Sequence, residues 1–244
     1  MIRIHYLTSS EKLRIISLMS VKEKEVQKGS QIERVLTVWG LIVVLWSIFR
    51  ANFGAPLWLS EFLIKPLIFL VPVIFFVQKY IQGGSLLKKL GFPEKRIAEE
   101  LFLSVSLLFV VFGAGMVMLL MNKQPFLLFL NSISFAKASY VFGLSIATAT
   151  VEEVVGRGFM FNYLNKFSKN FVMSMFVSST LFFVLYLPGA LTMHVSGPAL
   201  FVNLLMNFLL SFMAATLFYV RRNVLVAIGF HAGVLLWFDL LLGV

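Results

Sequence analysis

Residues 101–121, LFLSVSLLFVVFGAGMVMLLM, contain no charged side chain. A run of this length matches the roughly 20 apolar residues an α-helix needs to cross the hydrocarbon layer of a bilayer. In lipid every backbone N–H and C=O must be satisfied within the element, so only helices and closed barrels span. A continuous apolar run, without the alternation of a barrel strand, selects the helix. Comparable runs occupy 35–49, 60–77, 140–164, 171–187, 199–220 and 224–243. The expected fold class is therefore all-α, a polytopic membrane helix bundle of about seven transmembrane helices. Pro66 and Pro72 are expected to kink the second.

Composition agrees: 59% of residues are hydrophobic and 13% charged, against about 25% charged in soluble domains. With no cysteine, disulfides, thiolate zinc sites and a cysteine nucleophile are excluded. The net charge of +10 is read as basic loops on the cytoplasmic side of a membrane rather than as a nucleic-acid surface. Residues 1–34 hold no apolar run of secretory type and read as a basic cytoplasmic arm, with a short interfacial helix or a solvated tail near Leu13 to Leu18. Lys79, Lys88, Lys89, Lys95 and Arg96 mark the loop after the second span as cytoplasmic, and Lys166, Lys169, Arg221 and Arg222 mark later returns. The amino terminus is then expected inside the cell membrane. Residues 35–134 form an amino-terminal group of helices, with 126–137 expected at the interface, and 135–244 form the core that carries the chemistry.

That core contains VEEVVGRG, residues 151–158. After residue 100 the acidic side chains are Glu152, Glu153 and Asp239. A charge at the bilayer centre costs about 2.5–3.5 kcal/mol or more on insertion scales, and such residues usually mark function. Arg157, four residues after Glu153, can neutralise it on one helix face, which leaves Glu152 over. The pair Glu99–Glu100 serves as a contrast, expected as a solvated helix start beside Lys95 and Arg96. Glu152 lies 14 residues before Lys166, about 21 Å along a straight helix. His231, nine residues after Arg222, lies about 13 Å inward. A carboxylate can hold and deprotonate water, and an imidazole can donate to developing negative charge.

EEVVGRG resembles the EExxxR motif of the CPBP family of intramembrane proteases, which includes CAAX-processing enzymes and bacteriocin-immunity proteins. The resemblance extends over about residues 135–243. In the family this motif is followed by helices bearing FxxxH and HxxxN, which align here with Phe182–Tyr186 and His231–Leu235. Tyr186 therefore stands in place of a histidine and Leu235 in place of an asparagine. The resemblance implies that Glu152 activates water, that Glu153 and Arg157 support it, and that His231 is a transition-state donor. Tyr186 can orient water but is a poor base at neutral pH. A divalent metal such as zinc would find few ligands here, so a metal site stays unassigned. His194 either folds back past Pro188 and Gly189 toward the site or lies in a loop. Asp239 either lines the same cavity or marks the end of the last span.

Three functions fit these residues. The first is an intramembrane peptidase acting on a peptide or membrane-protein substrate among membrane lipids. The second is a catalytically impaired relative that binds or shields a membrane partner, as an immunity protein would. The third is a proton-coupled carrier relaying through Glu152, against which no inverted repeat is visible.

Overall fold

The computed structural model describes residues 9–121, 133–192 and 196–242. Eight helices follow one another in these residues, with no strand among them. They are α1 (Ser9–Asn52), α2 (Leu57–Tyr80), the short α3 (Leu86–Lys89), α4 (Ile97–Met121), α5 (Phe135–Ser168), α6 (Phe171–Thr192), α7 (Gly197–Arg221) and α8 (Leu225–Leu242). Six have the length and apolarity to cross a membrane, and the apolar stretch of α8, Leu225–Leu240, is shorter. The chain is a polytopic helical bundle. The arm expected at 1–34 does not break from the first span, since α1 runs through residue 34 without interruption. Residues 126–132 and His194, for which an interfacial segment and a fold-back were considered, lie outside the described residues.

Two helices contain π segments. In α2, Ser60–Ile64 is π-helical and leads directly to Pro66, whose missing N–H removes one i→i−4 bond and favours a wider turn there. In α5, Val154–Phe161 is π-helical and buried throughout. The sequence there has no proline to account for it. Wide turns of this kind are frequent at functional sites.

Antiparallel connection puts the two ends of the bundle in different company. One end gathers the loop 81–96, the α5–α6 turn and the α7–α8 turn, with Lys88, Lys89, Lys95, Arg96, Lys166, Lys169, Arg221 and Arg222. The other gathers the end of α1, the start of α2, the end of α6 and the start of α7. At the basic end the chain is tied down. Tyr163 Oη donates to the Lys89 carbonyl at 3.0 Å and Val224 N to the Gly91 carbonyl at 2.8 Å. Glu100 is buried and accepts from Arg221 at 2.6 Å and from Asn223 at 2.7 Å. The expectation of a solvated pair at 99–100 is therefore half corrected. Glu99 is exposed, while Glu100 joins α4 to the α7–α8 turn.

Two close approaches set the helix spacing around the core. A Cβ at Gly229 would collide with the Ser104 carbonyl oxygen, and one at Gly233 would lie 2.6 Å from the Leu108 carbonyl oxygen. These glycines, four apart in GFHAG, let α8 lie directly on α4, as small residues do where membrane helices touch. His231 sits between them. Gly158 of α5 likewise meets the Leu90 carbonyl oxygen, which is backbone and cannot swing aside. Gly158→Ala is expected to destabilise the fold by about 1–3 kcal/mol, as overpacking does. A thermal midpoint in detergent equal to that of the wild type would refute this contact.

Candidate active site

The last α turn before the α5 π segment carries Glu152 and Glu153, both buried, and the π segment itself carries the buried Arg157. The two glutamates do different things. Glu153 faces inward to the α8 side, where its Oε1 lies 2.7 Å from His231 Nδ1 and 2.9 Å from Arg157 Nη1. The Arg157 contact is an ion pair by distance without hydrogen-bond geometry. The Arg157 guanidinium also rests 4.4 Å above the Phe182 ring. Such a stack suits a weakly hydrated planar cation.

Glu152 faces a cavity of about 230 Å³ lined also by Trp46, Arg50, Lys65, Phe182, Tyr186 and Asn203, among others. Lys65 Nζ lies 2.6 Å from Glu152 Oε1 and 2.7 Å from Glu61 Oε2. Tyr186 Oη donates to Glu152 Oε2. Thr148 Oγ1 donates to Glu61 Oε2 at 3.0 Å. His231 is fully buried behind this wall, its Nε2 3.6 Å from Glu152 Oε2 and without a hydrogen-bond partner among the described residues. Because an ionised carboxylate only accepts, the contact with Glu153 puts a proton on Nδ1 and leaves Nε2 turned toward Glu152. Three carboxylates, Glu61, Glu152 and Glu153, thus face two fixed cations, Lys65 and Arg157. His231 is the remaining member of the cluster able to carry positive charge.

The structure brings Glu152, Tyr186 and His231 together and puts Glu153 and Arg157 directly behind them. Leu235 is half-buried in the apolar core. Asp239 pairs with Ser145 Oγ at 3.4 Å and does not line the cavity. What the sequence reading passed over is Glu61 and Lys65, inside the span SEFLIKPL. Their signal was available, an acid and a base four apart in an apolar run, the same spacing as Glu153 and Arg157.

The donor set does not suit a metal ion. Among the described residues no group of three or more His, Cys, Asp or Glu is placed to hold one. Glu152, the carboxylate on the cavity, has an ammonium on one oxygen and a phenolic donor on the other. A divalent cation there would meet Lys65 at contact distance.

Residues 134–237 match the model of the Rce1-like family, described as type II CAAX prenyl endopeptidase Rce1-like. No curated protein and no solved structure matches the chain. The matched segment begins just before α5 and ends within α8, so it contains Glu152, Glu153, Arg157, Tyr186 and His231 and excludes Glu61 and Lys65. Over that segment this multi-pass membrane protein is similar to the CAAX-type proteases of the CPBP family.

Proposed function

We propose that the chain is an intramembrane endopeptidase in which Glu152 activates water. The observation that supports it best is that Glu152, Lys65 and Tyr186 converge on one cavity while His231 Nε2 stands 3.6 Å from the same carboxylate. Glu152 has acceptor capacity beyond its two donors. It takes a proton from a water in the cavity, the water oxygen attacks the scissile carbonyl carbon, and the proton passes to the amine as the C–N bond breaks. Lys65 has three N–H donors and uses two on Glu61 and Glu152, which leaves one for the developing oxyanion. His231, held at Nδ1 by Glu153, supplies a second donor from Nε2 in its imidazolium form. Glu153 and Arg157 act as positioning residues. The substrate class that the family description suggests is a prenylated carboxyl-terminal peptide. The basic end of the bundle is cytoplasmic in this reading, as is the amino terminus, and the host membrane is the cell membrane.

A second reading has its own support. Each oxygen of Glu152 already has a donor, and a tyrosine occupies the position of the first family histidine. In that case the cavity binds a membrane peptide without cutting it.

Wild type and Tyr186→His, each reconstituted in vesicles, separate the two on a prenylated peptide and a panel of apolar peptides. The peptidase reading expects measurable release by the wild type and at least about tenfold faster release by the variant, since general acid–base groups contribute about 10²–10⁴-fold. Binding without release in both proteins would favour the non-cleaving reading.

A further inference from the structure

Glu152 alone neutralises Lys65, yet a second carboxylate, Glu61, touches the same ammonium. Adding a charge to a buried pair that already balances costs desolvation, and an acid kept inside a span at that cost usually serves function. The two oxygens of Glu61 differ. Oε2 accepts both of its donors, Lys65 Nζ at 2.7 Å and Thr148 Oγ1 at 3.0 Å. Oε1 has no donor among the described residues, and unlike Glu153 Oε2 it is not fully enclosed. The Glu61 side chain lines the cavity and keeps 11% of its surface, against 5% for Glu152. Both oxygens of Glu152, in contrast, carry a donor, Lys65 on Oε1 and Tyr186 on Oε2. Each glutamate sits at a π turn. Glu61 is inside that of α2, Glu152 is just before that of α5, and the α2 turn packs against α5.

We infer that Glu61 is a second catalytic carboxylate, whose open Oε1 holds the attacking water while Glu152 takes its proton. One ammonium touches both carboxylates, at 2.7 and 2.6 Å, so they lie close enough for a single water to bridge them. A water with one hydrogen on each carboxylate turns a lone pair away from both, and that fixed orientation is what a general base needs for attack on a carbonyl carbon. As the new oxygen–carbon bond forms, the hydrogen facing Glu152 passes to that carboxylate, and from there to the amine nitrogen when the C–N bond breaks. The hydrogen facing Glu61 stays on the attacking oxygen through this step. It passes to Oε1 as the new carboxyl group ionises, and Glu61 returns it to water in the cavity. Glu61 comes from α2, outside the segment that matches the family model, so the resemblance does not assign it. This inference rests on the peptidase reading of the cavity.

The test uses the full chain in nanodiscs, a fluorescent prenylated peptide, and two uncleavable analogues with a difluoroketone or the matching difluoroalcohol at the scissile position. The difluoroketone takes up water and then carries two hydroxyls on one carbon, one for each carboxylate, whereas the alcohol carries one. Release, binding by anisotropy and the thermal midpoint are measured for wild type, Glu61→Gln, Glu61→Asp and Thr148→Val. Wild type is expected to bind the difluoroketone about tenfold or more tighter than the alcohol, as a further hydrogen bond to a charge requires. In Glu61→Gln the amide oxygen keeps Lys65 and Thr148 while an NH2 donor replaces Oε1. Its kcat should fall about 10²-fold with KM held within about threefold, and its difluoroketone preference should vanish. Glu61→Asp, which keeps an acceptor, should retain more release than Glu61→Gln, and Thr148→Val, which leaves Oε1 untouched, should retain most of it. Equal binding of the two analogues by the wild type overturns the inference without relying on any variant. A Glu61→Gln protein that keeps the preference also overturns it, including one whose release falls only in step with its thermal midpoint, while release by the wild type leaves the peptidase reading standing. A preference lost in Glu61→Gln, with no release by the wild type, counts against the peptidase reading and supports the hold of Glu61 on the second hydroxyl.

Discussion

Glu152→Ala is expected to lower peptide release by about 10²–10⁴-fold, the share a positioned general base contributes, while the protein stays folded and inserted. The second half of that expectation follows from the way the charges are paired. Lys65 keeps Glu61 at 2.7 Å when Glu152 is removed, so no cation is orphaned. Tyr186 loses an acceptor but is half-buried on the cavity wall, within reach of water. Glu153→Ala differs in kind, because Arg157 and His231 both lose the oxygen they share. Release measured in vesicles, beside a thermal melt in detergent, separates the two variants. Glu152→Ala should lose release and keep its midpoint, and Glu153→Ala should lose both. A Glu152→Ala protein that retained a tenth or more of wild-type release would end the peptidase reading.

Lys65→Met should be the most damaging single change to stability among the cavity residues. Methionine replaces the stem and removes the charge, leaving Glu61 and Glu152, both buried, to face each other without a cation. Breaking a buried pair from one side typically costs about 3–5 kcal/mol. Adding Glu61→Gln to Lys65→Met removes one of the two stranded charges and should recover part of the loss, so the two substitutions are non-additive. Unfolding in detergent of the two single variants and the double variant gives the coupling. A Lys65→Met protein as stable as the wild type would show that the ammonium does not bridge these carboxylates.

Much of the bundle was legible because lipid leaves a chain few choices. Apolar runs located the helices, and the rarity of acids after residue 100 singled out Glu152 and Glu153. His231 stood out as a histidine deep inside the last span, and Tyr186 was found through the family motif. Lys65 escaped because its meaning lies in a partner 87 residues away in sequence, and periodicity tells which residues share a face without telling which face meets which helix. Glu61 and Lys65 also begin only a few residues into a span, where long polar side chains commonly reach back to the interface. Glu100 was misread for a related reason. An acid before an apolar run looks like a favourable helix start, and its partners, Arg221 and Asn223, are on the far side of the chain. The π turn of α5 has no proline to announce it, although the π turn of α2 does.

Lys65 enters the site from α2, ahead of the segment that marks the family. The unit that can be recognised by its motifs is therefore smaller than the unit that can be transplanted. A chimera that received residues 134–237 alone would inherit a buried acid without its counter-ion. One that received α1 and α2 as well would inherit the matched set, and with it the wall on which Trp46 and Arg50 stand. Divergence among such proteins should accordingly run in pairs, with changes on α2 tracking changes on α5.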